Sequence, residues 1–342
     1  MPQGAVSVFT GRSVRTRPMT TIPAGSTADA PARSAPGPAR GRARSLTGRH
    51  AAEGAIKSAL ITCAAFSIFT TFAIIVVLGT ETIAFFRRDE VSLREFFFSL
   101  QWSPLLGAEK HFGIWPLVCG TLLVTGVAMI VAIPLGLMTA VFLSEYAPRR
   151  VRAILKPILE VLAGVPTVVY GFFALTVITP VLRHLHGEFD VYNVFSAGLA
   201  VGIMCLPIVC SISEDALQAV PRSLREGAYG LGGTKFDVSV RVVVPSALSG
   251  IVAASLLAVA RAVGETMIVA LAAGNLARLT LDVRDQAQTM TAYMVQIFLG
   301  DVSNFGVEYL SSYAVAAMLF VLTLIVTLLG YRIRATFREE YE

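Results

Sequence analysis

Residues 58–80, 114–144, 161–182, 191–213 and 309–331 run without a single charged side chain. A bilayer core about 30 Å thick needs about 20 apolar residues in a helix to cross it. Each run meets that length. A sixth run, 242–276, is long enough but carries Arg261 and Glu265. The apolar positions show a helical period or none, not the strict alternation of a barrel strand. The pattern therefore predicts an all-α integral membrane fold with six transmembrane helices. Segment 286–299 is partly apolar but short and follows Asp285. It reads as an interfacial or re-entrant helix on the outer side; a seventh span is the competing reading. Pro166 and Pro207 mark either kinks near a pathway or ordinary packing breaks, both tolerated where neighbouring helices satisfy the freed backbone groups.

Composition agrees with the pattern. The chain has 342 residues, 55% of them hydrophobic and 15% charged, with a mean hydropathy of +0.68; a soluble domain rarely combines these. Charge sets the orientation. Twenty of the 28 Lys and Arg residues fall in the N-terminal tail, the segment 145–160, the polar loop 214–245 and the C-terminal end. Seven fall on the opposite side, and Arg261 is the remainder. The positive-inside rule then puts both termini and the polar loop in the cytoplasm. The net charge of +5 is explained by tail and loop Arg and gives no reason to expect nucleic acid. Cys63, Cys119, Cys205 and Cys210 all lie in predicted spans without metal-ligand spacing, so they read as small thiols and no metal or cofactor is expected.

Residues 1–57 hold many Pro, Arg, Ser, Ala and Gly and few large apolar residues. Such a segment reads as a disordered, basic, cytoplasmic tail, with an organelle transit peptide or a segment lying on anionic membrane lipid as alternatives. A cleavable secretory signal is not evident, because the first apolar run starts near residue 58. Residues 336–342 read as a short cytoplasmic C-terminus. The outer loop 81–113 is rich in Phe, and Trp102 and Trp115 suit a membrane interface.

The polar loop is patterned. Ser223 and Glu226 stand at the spacing of a capping box. Gly232 and Gly233 then stop that helix, Thr234 and Asp237 repeat the cap spacing, and Pro245 follows the second short helix. Helix, Gly turn, helix makes a rigid element that fits a groove on a partner; an unrelated amphipathic loop is the plainer alternative. Gly230 to Lys235 is superficially like a phosphate-binding loop but lacks the Gly-Lys-Ser/Thr ending and a preceding strand. The chain is not expected to hydrolyse ATP, and no residue is assigned a catalytic role.

Within the sixth run lies Arg261-Ala262-Val263-Gly264-Glu265-Thr266. An ionised side chain at mid-bilayer costs about 3 kcal/mol or more. Four residues apart on one helix, Arg261 and Glu265 would share a face and lower each other's cost. Either Arg261 lines a pathway and offers a forked donor to a tetrahedral oxyanion, steadied by Glu265, or the two form a buried salt bridge that ties helices together.

Several of these residues carry a family resemblance. Glu226-Gly227-Ala228, Gly232 and Val242-Val243-Val244-Pro245 match the EAA loop of ABC-importer permeases in register, with Gly227, Val242 and Val244 as mild departures. Arg-Ala-x-Gly-Glu at 261–265 resembles the fifth-helix segment of oxyanion permeases, and its continuation Thr266-Met267 resembles the phosphate branch. Gly164-Val165-Pro166-Thr167-Val168-Val169-Tyr170-Gly171 is similar to a motif of PstC-type subunits, and Gly120-Thr121-Leu122-Leu123 and Phe142-Leu143-Ser144-Glu145-Tyr146 also fit. The resemblance covers about residues 58–335. It implies a type I ABC-importer (MetI-like) permease fold, a homologous PstA-type partner, a PstB-type cytoplasmic ATPase dimer and an extracytoplasmic PstS-type phosphate-binding protein. It assigns Glu226, Ala228, Gly232 and Pro245 to ATPase coupling, and Arg261, Glu265 and Thr266 to the substrate pathway. Other readings are a permease for sulfate or molybdate, an ion-coupled carrier using Arg261 and Glu265 as a relay, and a membrane subunit that senses phosphate.

Overall fold

A computed structural model describes residues 46–105, 110–300 and 306–336. The tail up to residue 45 and the C-terminal residues 337–342 lie outside the described residues. The chain divides into two compact units, residues 1–64 and 65–342. The described part of the first is the opening of helix α1 (Leu46–Phe86). The helix begins ahead of residue 57, through Ala51, Ala52, Ala55 and Ile56; good helix formers next to an established apolar helix add one hydrogen bond for each residue fixed.

The second unit continues with α2 (Leu93–Phe98) and a small antiparallel hairpin, β1 (Trp102–Ser103) and β2 (His111–Phe112), with Trp102 opposite Phe112. There follow α3 (Trp115–Val141), α4 (Arg149–Gly164), α5 (Thr167–Phe173), α6 (Thr179–Leu185) and α7 (Val194–Ala219). The polar loop contributes α8 (Arg222–Gly230), α9 (Lys235–Val238) and α10 (Val244–Ser246). The remainder is α11 (Leu248–Val263), α12 (Met267–Ala272), α13 (Met290–Leu299) and α14 (Val307–Thr336).

Among the described residues, five stretches are long and apolar enough to cross a membrane: Glu53–Phe86, Trp115–Tyr146, Thr167–Leu185, Val194–Ala219 and Val307–Ile333. A sixth is Lys235–Ser246 with Leu248–Val263, bent by 69°. The six-span architecture therefore stands, but the sixth apolar run is not one rod. It bends near Ala247 and breaks again between Val263 and Met267. Sixteen residues of α11 reach only about 24 Å, short of a bilayer core about 30 Å thick. The ten residues of α13 reach about 15 Å, too short to be a seventh span. Its N-terminus is anchored on α3, where the Met290 N–H donates to Thr121 Oγ1 at 3.0 Å.

Among the described residues, three π-helical turns interrupt the spans: Phe142–Tyr146, Ala174–Ile178 and Ser239–Val243. Two have one cause. A proline ring clashes with the carbonyl four residues back. For Pro180 and Pro245 that carbonyl belongs to Thr176 and Arg241, each inside a widened turn.

The core sits between α3 and α7. A Cβ added at Gly198 would stand 2.6 Å from Val127 Cβ, one at Gly202 2.9 Å from the Ala128 carbonyl oxygen, and one at Gly136 2.8 Å from Val209 Cβ. The numbering rises together along both helices, so they run parallel with their backbones in contact. Small residues permit this approach where lipid supplies no hydrophobic drive between helices. Val124, Ala128, Ala132, Ala197, Val201 and Cys205 fill the seam.

A second core closes the end that carries the hairpin. Phe85, Phe96, Phe112, Trp102 and Tyr293 meet edge to face, with the Trp102 and Tyr293 centroids 4.9 Å apart. Trp102 is thus buried in protein, its ring packed against Tyr293. Trp115 stays exposed, its indole N–H donating to the Phe97 carbonyl at 2.6 Å.

Candidate functional site

The polar loop is built as two short helices around a left-handed turn. Val220-Pro221 enters extended, and α8 starts at Arg222 with Pro221 at its N-cap. The expected Ser223–Glu226 capping box is not formed. The rigid proline entry starts the helix one residue before Ser223, which leaves Ser223 inside the first turn. Glu226, released from capping, is exposed on α8. The helix stops at Gly232, whose φ of +84° favours a residue without Cβ. The Gly233 N–H then donates to the Ala228 carbonyl at 3.1 Å, so the half-buried Ala228 anchors the turn. The second cap forms as its spacing predicts. The Asp237 N–H donates to Thr234 Oγ1 at 3.2 Å, and the Thr234 N–H donates to Asp237 Oδ2 at 3.3 Å. Pro245 is exposed and lies within α10, not beyond it, because the π turn ahead of it absorbs the missing hydrogen bond.

Exposed apolar side chains crowd this loop. Leu231 is 92% exposed and Phe236 65%, with Tyr229 and Val240 beside them in sequence. Beneath, Leu143, Leu217, Val220, Val238 and Val243 form a core of their own that supports the loop. Arg225, next to Glu226 in sequence, turns to this inner side and pairs with Glu145 at 3.1 Å. No sequence signal joins these two, which stand 80 positions apart.

The membrane charges are arranged otherwise than helical spacing predicts. Arg261 lies in the last turn of α11, but the helix ends at Val263 and Glu265 lies beyond it. Among the described residues, Arg261 and Glu265 make no ion pair within 4.0 Å. Arg261 Nη2 approaches only the weak acceptor Met204 Sδ, at 3.8 Å. Glu265 is buried, and its Oε1 accepts the N–H groups of Met267 at 3.1 Å and Ile268 at 3.3 Å. It thereby satisfies two of the unpaired donors that open α12. Thr266 Oγ1 donates to the Gly264 carbonyl at 3.3 Å. A partner missed by sequence reasoning is Thr291, whose hydroxyl donates to the Glu265 carbonyl at 2.6 Å. The Thr289 cap of α13 was the available signal, since it starts that helix beside Thr291. The Gly164–Gly171 motif forms the joint between α4 and α5, where the Tyr170 hydroxyl donates to the Leu162 carbonyl at 2.7 Å.

Among the described residues, no cluster of three or more His, Cys, Asp or Glu side chains is arranged to hold a metal. Bent spans, an exposed two-helix loop and a broken, charged run at 242–276 describe a multi-pass membrane protein. The chain belongs to the family of binding-protein-dependent transport system inner membrane components, whose model matches residues 132–339. It is a multi-pass permease subunit of an ABC importer and not itself an enzyme; ATP hydrolysis belongs to a separate chain. The chain is 33% identical over 267 residues to a probable ABC transporter permease protein, YqgH, of Bacillus subtilis, covering 78% of this chain and 86% of that protein. It is 32% identical over 277 residues to the phosphate transport system permease protein PstC of Mesorhizobium japonicum, covering 74% of this chain and 83% of that one. A chain of a bacterial ABC transporter that imports the polysaccharide alginate has the same fold, with a TM-score of 0.60 at 12% identity over 86% of this chain and 99% of that one.

Proposed function

We propose that this chain is the PstC-type permease subunit of an ATP-driven importer of inorganic phosphate. The observation that carries the substrate reading is Arg261. Its guanidinium sits in an apolar crossing with no carboxylate bound to it, while Glu265, which would have neutralised it, serves the start of α12. A planar fork of donors held only by a thioether suits a tetrahedral oxyanion. The name of the Mesorhizobium relative supports phosphate among the oxyanions. Thr266 and Glu265 belong to the same pathway, Glu265 by holding the helix break open beside Arg261.

In this reading a homologous PstA-type permease completes the channel. A PstB-type ATPase dimer docks on the cytoplasmic loop through Glu226 and the apolar side chains around it, with Ala228, Gly232 and Pro245 keeping the loop rigid. A PstS-type phosphate-binding protein delivers substrate from outside. ATP binding draws the docked loops together and turns the pore outward; hydrolysis returns it inward. Both termini, with the basic tail 1–57 and the short end 336–342, lie on the cytoplasmic side.

The test is phosphate uptake in cells lacking their own high-affinity system, supplied with candidate partners and either the wild type or Arg261→Gln at equal membrane levels. Uptake lost with the ATPase still co-purifying supports the reading. Uptake retained removes Arg261 from the pathway. Competition by excess sulfate or molybdate would move the assignment to another oxyanion.

A further inference from the structure

We propose that Arg225 and Glu145 form a strut that carries motion from the coupling loop into the membrane helices, with Arg225 a positioning residue for transport and not a contact to the ATPase. The proposal rests on the reading of α8 as the ATPase dock. Arg225 and Glu226 are adjacent in sequence yet face opposite ways. Glu226 is exposed, whereas the Arg225 and Glu145 side chains are only 18% and 8% exposed. A partner on the outer face of α8 would meet Glu226 and not Arg225.

The guanidinium bridges three elements. Nη1 donates to the Val220 carbonyl at 3.0 Å, and Nη2 donates to the Leu217 carbonyl at 2.7 Å and to Glu145 Oε1 at 3.1 Å. Leu217 lies in the last turn of α7 and Val220 is its C-cap, whose N–H donates to the Leu217 carbonyl at 3.4 Å; Arg225 adds a second donor to that carbonyl and one to the carbonyl of Val220. Glu145 lies in the π turn that continues α3, and its Oε1 also accepts the Ser144 hydroxyl at 3.0 Å. The two helices that run parallel with touching backbones therefore end on the same side chain, and that side chain belongs to α8. Displacement of α8 must carry the ends of α3 and α7 with it or break three charge-assisted bonds, one of them to a carboxylate. A lysine would bring the charge without the fork. Arg225 Nε is buried without a partner, so the geometry favours the three bridging bonds over full satisfaction of every donor.

A second ion-pair node shows what is particular to this one. Glu214 on α7 pairs with Arg152 and Lys156 of α4. That node joins transmembrane and membrane-flanking helices to each other and does not include the loop. Arg225–Glu145 joins them to the loop.

The experiment uses the complete transporter in proteoliposomes: this chain, the candidate partner permease, the ATPase and the phosphate-binding protein. Phosphate taken up per ATP hydrolysed is measured for the wild type, Glu145→Gln, Arg225→Gln and the double variant. A strut predicts that each single variant lowers the ratio about fivefold or more with the ATPase still bound. The double variant should do no worse than either single, because the same link is already gone. Arg225→Lys should fall between wild type and Arg225→Gln. A wild-type ratio in Glu145→Gln, losses that multiply in the double variant, or release of the ATPase by Arg225→Gln alone would each overturn the proposal. Failure of the docking reading has a separate signature: Glu226→Lys with undiminished ATPase co-purification.

Discussion

Glu265 accepts the backbone N–H of Ile268 at 3.3 Å. The acidic group of the run at 242–276 is thus committed to the first turn of α12, and the basic group four residues earlier is left with a thioether. A helix break, a buried carboxylate and an uncommitted guanidinium occur together because each permits the next. The break frees N–H groups, the carboxylate takes them, and the guanidinium loses its closest possible counter-ion.

Glu265→Ala should destabilise the chain by about 1–2 kcal/mol through loss of this cap. Glu265→Gln keeps an acceptor oxygen and should lose less than half as much. Thermal unfolding of the nanodisc-embedded protein checks this; equal losses for Ala and Gln would show that charge, not hydrogen bonding, is what the site needs.

Glu214 is 1% exposed and is held by Arg152 at 2.5 Å, by Lys156 at 3.4 Å and by the Gln218 amide at 2.8 Å. Its two cationic partners are about a third exposed, so solvent softens the loss when the carboxylate is removed. Glu214→Ala should cost about 2–3 kcal/mol. Arg152→Ala should cost less, because Lys156 remains. Denaturant unfolding of the two variants gives the order, and the reverse order would contradict the buried carboxylate as the centre of the node.

Gly232 takes a left-handed conformation at φ +84° with open space around its Cβ position. Sterics with neighbours are therefore not at issue, only backbone strain. Gly232→Val should cost about 1–2 kcal/mol and reduce ATPase co-purification, while Gly232→Asn should be nearly silent. Pull-down yields at matched membrane levels distinguish them.

Arg284 donates to both Asp282 oxygens, from Nε at 3.0 Å and from Nη2 at 2.6 Å, and holds that carboxyl at about 2, below its ordinary 3.8. A carboxyl with a depressed value stabilises the folded loop above the ordinary value, and that contribution disappears as pH falls through the lower one. Pepsin cleavage within residues 276–286 should therefore rise as pH drops from about 4 toward 2. Asp282→Asn should be cut readily already at the upper end. A cleavage profile identical in the two proteins would disprove the link.

Where an apolar run is long and uncharged, the sequence nearly marks the helix: 191–213 became Val194–Ala219. The Thr234–Asp237 cap and the Gly232 stop were equally legible, since each depends on residues within four positions. What was not legible depended on competition or distance. Ser223–Glu226 has cap spacing, but Pro221 starts the helix first. Arg261 and Glu265 have helical spacing, but the run of hydropathy hides the break between them. Trp102 has interfacial chemistry, yet its burial is decided by Tyr293, far along the chain.

The chain has two tryptophans, and the fold gives them opposite surroundings. Trp102 is enclosed by aromatic edges; Trp115 stands at the surface with its N–H bound to a carbonyl. Their emission should therefore differ in colour and in access to quenchers. Substituting one at a time would turn this subunit into its own optical reporter, with one dye position inside the aromatic cluster beside the hairpin and the other on the first turn of α3.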